Sequence, residues 1–254
     1  MTATVHRWSE ASSAEIGEAL RANPIILLPI GAIEAHGPHL SSGADSVIAS
    51  AVASRAAEML AADDVETIVL PIMAYSVCEA GRPFPGTINV PAAVVTDLIF
   101  AICSEVHRHG GERICLHAHH WDPPHLVAID AAVTRLATEY PNLSCGVFDR
   151  RCLNDEELAS GFREGEGTGI RHGGRVETSM VLAEAPEQVN QDVMHQLGPV
   201  WVDLMAALRS GATNFAEAGG IDGYFGEPAE STVDEGERMI EFLASHVSQV
   251  ARSL

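Results

Sequence analysis

Hydrophobic positions along the chain form short unbroken runs separated by longer stretches of helical period. Ile25 to Ile30 is an apolar run of strand length, closed by Gly31. Thr67 to Ile72, Ile114 to His117 and Leu143 to Phe148 have the same character. Between them lie helix signals. Ser12-Ser13-Ala14-Glu15 caps a helix through Leu20, which Asn23-Pro24 ends. Ser46 to Leu60 is Ala-rich. Ala92 to His107 is apolar-periodic. Pro123-Pro124 suits a helix start with a body to about Tyr140, and Val233 to Arg252 reads as an amphipathic closing helix. Strand–helix alternation predicts an α/β fold, a three-layer α/β/α arrangement around a mostly parallel sheet. A chain of 254 residues can bury a sizeable core, and nothing between these elements reads as a linker, so one domain over 1–254 is expected. No internal repeat of solenoid length is evident.

Polar residues with metal-ligand chemistry gather where two of these strands end. After Ile30 come Glu34, His36, His39 and Asp45. Glu34 and His36 are two apart, so they point the same way while the extended period holds. After the strand at Ile114 come His117, His119, His120 and Asp122. Ligands of open α/β sheets sit just past the strand ends, and mixed oxygen and nitrogen donors suit Zn²⁺ or Mn²⁺. Either stretch alone reads best as loop histidines; together they point to a metal site. Asp45 also has a structural reading, as a cap for the helix beginning near Ser46. The Gly-rich segment 161–175 reads as a mobile loop beside the site. It lacks the strand–GxxxxGK[ST]–helix setting of a phosphate loop.

Charge and cysteine content narrow the class. Fifteen basic residues, all arginine, face 35 acidic ones, giving a formal net charge of −20. Such a field repels nucleic acid and anionic membrane surfaces, so neither is an expected partner. Cys78, Cys103, Cys115, Cys145 and Cys152 are odd in number and lack scaffold spacing. No stretch approaches transmembrane length and the N-terminus lacks an apolar signal core, so a reducing cytoplasm is the expected setting.

The first motif resembles the opening signature of the creatininase (creatinine amidohydrolase) family, a strand followed by G-x-x-E-x-H-G-P-H-L and then an Asp. Here it is Gly31, Glu34, His36, Gly37, Pro38, His39, Leu40 and Asp45. Phe84-Pro85-Gly86-Thr87 is similar to the family's FPGT turn, and His172 with Glu177-Thr178-Ser179 to its H-x-x-x-x-E-T-S segment. The middle motif departs from the pattern. Most relatives carry NGHGGN there, and creatininase itself His, an aromatic, then Glu. Two registers are open: one puts His119 at the family histidine; the other, preferred, puts His120 there and gives His120-Trp121-Asp122.

The resemblance implies a creatininase-like fold, a homo-oligomer (a hexamer in relatives) and a divalent-metal-dependent hydrolase with two Zn²⁺ or Mn²⁺ per chain. Asp45 would bridge the ions, Glu34 and His120 hold one, His36 and Asp122 the other. A metal-bound hydroxide would attack the carbonyl of a small cyclic or polar amide, and His172 would protonate the leaving nitrogen. Glu177 would orient His172 or complete a metal shell; both remain open. His39 would fix the loop. Trp121 and Cys78 would wall the substrate pocket. Thr168 replaces an aromatic residue of creatininase and Cys78 a serine, which argues against creatinine itself. The family also holds formamide-cleaving, peptidase-like and cyclic-ketone-cleaving members. Hydrolytic C–C cleavage of a cyclic, inositol-derived diketone is therefore an alternative, as are a metal-binding relative without turnover and a purely structural protein.

Overall fold

The computed structural model describes residues 3–154, 156–158 and 171–254. Strands β1 (Val5–Arg7), β2 (Ile25–Ile30), β3 (Thr67–Val69), β4 (Arg113–Ala118) and β5 (Ser144–Phe148) form one parallel sheet in the order β1-β3-β2-β4-β5. Eight labelled helices surround it among the described residues: α1 (Ser13–Leu20), α2 (Ala44–Ala62), α3 (Ala92–Arg108), α4 (Pro123–Glu139), α5 (Arg175–Glu184), α6 (Gln191–Met194), α7 (Leu204–Arg209) and α8 (Val233–Arg252).

Strand periodicity splits the core in two. Ile25 and Leu27 point to the face covered by α2, α5 and α8; Ile26, Leu28 and Ile30 point to the face covered by α1, α3 and α4. All six residues of β2 are buried because helices cover both faces. The result is the expected three-layer α/β/α arrangement.

The predicted elements fall close to the observed ones. The capping box at Ser12 and Glu15 is formed as expected, and α8 has the expected bounds. β3 is shorter than its apolar run and ends at Val69, two residues before Pro71, which has no N–H to donate. α2 begins at Ala44, so Asp45 lies inside its first turn with no capping hydrogen bond. α5 has no amphipathic stripe to read. Val176 to Leu182 are all buried, polar Glu177, Thr178 and Ser179 included, because α2 and α8 enclose it. The approach of α8 is close enough that a Cβ on Gly236 would lie 2.0 Å from the Ser179 carbonyl oxygen. Of the 161–175 segment, residues 161–170 lie outside the described residues, Thr168 with them.

Candidate metal centre

Two strand–helix junctions meet at the carboxyl end of the sheet. After β2 the chain leaves the strand as a loop, then turns into α2 so that Asp45 returns beside the residues that preceded it. Glu34, His36 and Asp45 are 1%, 0% and 2% exposed, and among the described residues none forms an ion pair with an arginine. The His36 Nε2 atom lies 3.2 Å from Asp45 Oδ1 and 3.7 Å from Glu177 Oε2. His120, just past β4, places Nδ1 3.3 Å from Glu34 Oε2 and 3.2 Å from Asp45 Oδ2.

The far sides of both imidazoles are fixed. His36 Nδ1 is 2.9 Å from the Glu34 carbonyl, and His120 Nε2 is 2.6 Å from the Val77 carbonyl. A carbonyl only accepts, so each of those nitrogens carries the proton. His36 Nε2 and His120 Nδ1 therefore face the carboxylates as potential donors to a cation, held as metal-bound histidines usually are. Among the described residues Glu34 Oε1 is buried without a hydrogen-bond partner, and His36 Nε2 and Asp45 Oδ2 face only the ionisable groups of the cluster. Buried polar atoms left in this way are costly, and a cation in the cluster would offset that cost. Donor atoms of Glu34, Cys78 and His120, of His36, Asp45 and Glu177, and of Glu34, His36 and His172 each come together closely enough to share an ion.

Electrostatics agree with the geometry. Burial disfavours charge on His36, yet Asp45, Glu177 and Glu34 outweigh it and push its pKa up to about 10. Burial likewise opposes charge on His120, but Glu34 and Asp45 drive its pKa well upward. Burial works against the charged forms of Glu34 and Asp45 too, yet His120 and His36 hold both carboxyls below the ordinary range. A pocket that draws protons onto two buried imidazoles is one that demands positive charge.

His172 stands beside this cluster. Its Nε2–H donates to the Ala35 carbonyl at 2.8 Å, leaving Nδ1 3.8 Å from Glu34 Oε2. Its ring lies between His36 and Phe215, each 4.2 Å away by ring centroids. Burial and the nearby His36 lower its pKa to about 4. Glu177, in the first turn of α5, accepts the Gly173 N–H at 2.7 Å. Gly173 makes that contact from the left-handed region, at φ +62, which suits glycine.

The remaining sequence candidates take other positions. Asp122 lines the same cavity, but its Oδ2 accepts the Glu79 N–H at 2.7 Å and the Ala80 N–H at 3.4 Å, and it forms no ion pair with His36. Its donor atoms are not among those that come together in the cluster, although the charges of His120 and Glu34 act on it. Burial raises its pKa. His39 Nε2 is 2.9 Å from Thr178 Oγ1, tying the first motif to α5, and burial lowers its pKa to about 4. Trp121 lines the cavity, with Nε1–H on the Ala118 carbonyl at 3.0 Å. Cys78 is fully buried behind Glu34 and His120 and does not line the cavity. Sequence reasoning left His119 without a role; it lines the cavity with Nε2 3.9 Å from Glu177 Oε1. Phe215, Arg150, Arg171 and Arg209 line it too and carried no local signal. The cavity measures about 540 Å³.

Comparison with known proteins adds the following. The family model described as Creatininase: Creatinine amidohydrolase matches residues 9–251. A mycofactocin precursor peptide peptidase of Mycolicibacterium smegmatis is 28% identical over 219 residues, covering 85% of this chain and 79% of the relative. A creatinine amidohydrolase of Pseudomonas putida is 29% identical over 182 residues, 66% of this chain and 67% of the relative. Among solved structures, one described as Creatininase Mn superposes with a TM-score of 0.77 at 23% identity, covering 98% of each chain.

Proposed function

The chain belongs to the creatininase family, and on that premise we propose that it binds two divalent ions, Zn²⁺ or Mn²⁺, and cleaves the C–N bond of a small cyclic or polar amide. It is a metal-dependent hydrolase of the amidohydrolase type. The observation that carries the proposal is the convergence of buried donor atoms, those of Glu34, Cys78 and His120 and those of His36, Asp45 and Glu177, with Asp45 within 3.2 Å of both His36 and His120. We assign one ion to Glu34, Asp45 and His120 and the other to His36, Asp45 and Glu177, with Asp45 shared. Glu177 takes the place of Asp122 in this scheme, because its donor atom comes together with those of His36 and Asp45, whereas Asp122 Oδ2 holds two backbone N–H groups.

Bound divalent ions supply an acidified water and polarise a carbonyl oxygen. The protein's own residues do the rest. His172 is neutral near pH 7, since burial lowers its pKa to about 4, and its Nδ1 lone pair is the free one. It accepts a proton from the attacking water at Nδ1 and delivers it to the leaving nitrogen. Phe215 and the Ala35 carbonyl hold the ring in that orientation. Trp121 and Phe215 give the cavity an apolar wall against which a small amide can lie. The same reading carries a cytoplasmic homo-oligomer, with Val94, Leu98 and Val127 offering exposed apolar surface on α3 and α4. No helix of the described residues is long and apolar enough to cross a membrane.

The test is hydrolysis of a panel of cyclic and acyclic amides by metal-stripped and metal-restored protein. Amine or ammonia release that returns with Zn²⁺ or Mn²⁺ and is lost in His172→Ala supports the proposal. Release indifferent to metal sinks it. Metal binding with no turnover on any amide favours a relative without activity.

A further inference from the structure

Arginine placement around the cavity has a chemical consequence. In a chain with 35 acidic and 15 basic residues, seven of the 14 described arginines pair with a carboxylate and seven do not. Arg55, Arg108, Arg135 and Arg151 each pair with one or two. Arg150, Arg171 and Arg209 do not: among the described residues none of the three forms an ion pair, although Asp122 and Asp203 line the same cavity. They arrive from three separate places. Arg150 follows β5, Arg171 directly precedes His172, and Arg209 lies in the last turn of α7. Arg171 donates Nη1 to the Val202 carbonyl at 2.7 Å, which fixes its fork, while its Nε is buried with no partner. Asp203 is spent on capping α7, accepting the Ala206 N–H at 2.8 Å. Three guanidinium groups with no carboxylate partner among the described residues thus border the cavity that holds the metal-ligand cluster.

We propose that Arg150, Arg171 and Arg209 bind an anionic group of the substrate, so that the amide cleaved here also carries a carboxylate a few atoms from the scissile carbonyl. The inference rests on the hydrolase reading above and adds the substrate class. A planar fork matches a carboxylate in two hydrogen bonds. The chain's net charge of −20 repels anions at long range, so a local cationic rim is what lets an anion bind at all. With the carboxylate anchored on the rim, the amide is left pointing at His172 and the acidic cluster.

The probes are the monoamides of succinic, glutaric and adipic acid, each compared with its neutral diamide by calorimetric titration of the metal-replete protein. At least one monoamide should bind about tenfold or more tightly than its diamide, in keeping with a charge-assisted bidentate contact. The preference should vanish in Arg171→Gln and shrink in Arg150→Gln and Arg209→Gln, while diamide binding is unchanged. Arg171→Lys should keep part of it. Among the described residues the side chains of Arg150 and Arg209 form no hydrogen bond or ion pair, so their variants test the idea even if Arg171→Gln misfolds. Equal binding of acid and diamide overturns the proposal. So does a preference that survives all three substitutions, which would place the carboxylate on the metal. Ion content measured on the same samples separates the two readings. An arginine-dependent preference in protein that holds no ion sinks the hydrolase and leaves the anion site. A metal-bearing enzyme without the preference sinks the anion site alone.

Discussion

The β2–α2 and β4–α4 junctions sit side by side at the carboxyl end of the sheet, and each carries a run of histidines and carboxylates. They do not contribute equally. The first supplies Glu34, His36 and Asp45, with Asp45 3.2 Å from both His36 and His120. The second sends only His120 to this cluster. Its Asp122 is occupied by the backbone of Glu79 and Ala80, and its His119 reaches Glu177 rather than Glu34 or Asp45. The difference teaches that residue type at a strand end nominates a ligand, but the fold decides whether its donor atoms meet those of other residues.

The largest expected effect is at the shared carboxylate. Asp45→Ala should empty both ion positions and lower amide hydrolysis by at least about a thousandfold, read by elemental analysis and initial rates. His172→Ala should keep both ions and still lose about 10²–10⁴ in kcat, the usual range for one acid–base group. The two junctions are separated most sharply by a paired substitution. Glu177→Gln should cost about one ion per chain. Asp122→Ala should keep both but leave two N–H groups unsatisfied, costing about 1–3 kcal/mol in stability by urea midpoint.

The smallest effect is in pH dependence, where buried histidines act in opposite senses. Burial lowers His117 and His125 to about 3. Their folded pKa lies below the unfolded value, so their contribution is complete above about pH 6.5 and is lost as pH falls towards 3. His36 is raised to about 10 in ion-free protein. Its contribution is complete below about pH 6.5 and is lost as pH rises through 10. Urea midpoints of metal-stripped protein should therefore fall on both sides. Metal-loaded protein should lack the His36 part of the alkaline loss, since a coordinated imidazole has already given up that proton.

Legibility in the sequence followed the same physics. The opening motif spans few residues at one junction, so local spacing was enough to nominate it. α1, α3, α4 and α8 declared themselves through caps, a proline start or period, and α2 through its alanine content. α5 did not, because burial on every side erases the amphipathic stripe, and β1 is only three residues long with no buried run. Arg150, Arg171, Arg209 and Phe215 come from distant segments and meet only through the fold, so no window of sequence holds them together. Glu177 was nominated with its role open; its position 3.7 Å from His36 is a tertiary fact.

The most direct test is ion content per chain for wild type, Glu177→Gln and Asp122→Asn, purified without chelator. The account predicts about two, one and two ions. About two, two and one would return the second position to Asp122 and contradict the assignment made from the geometry.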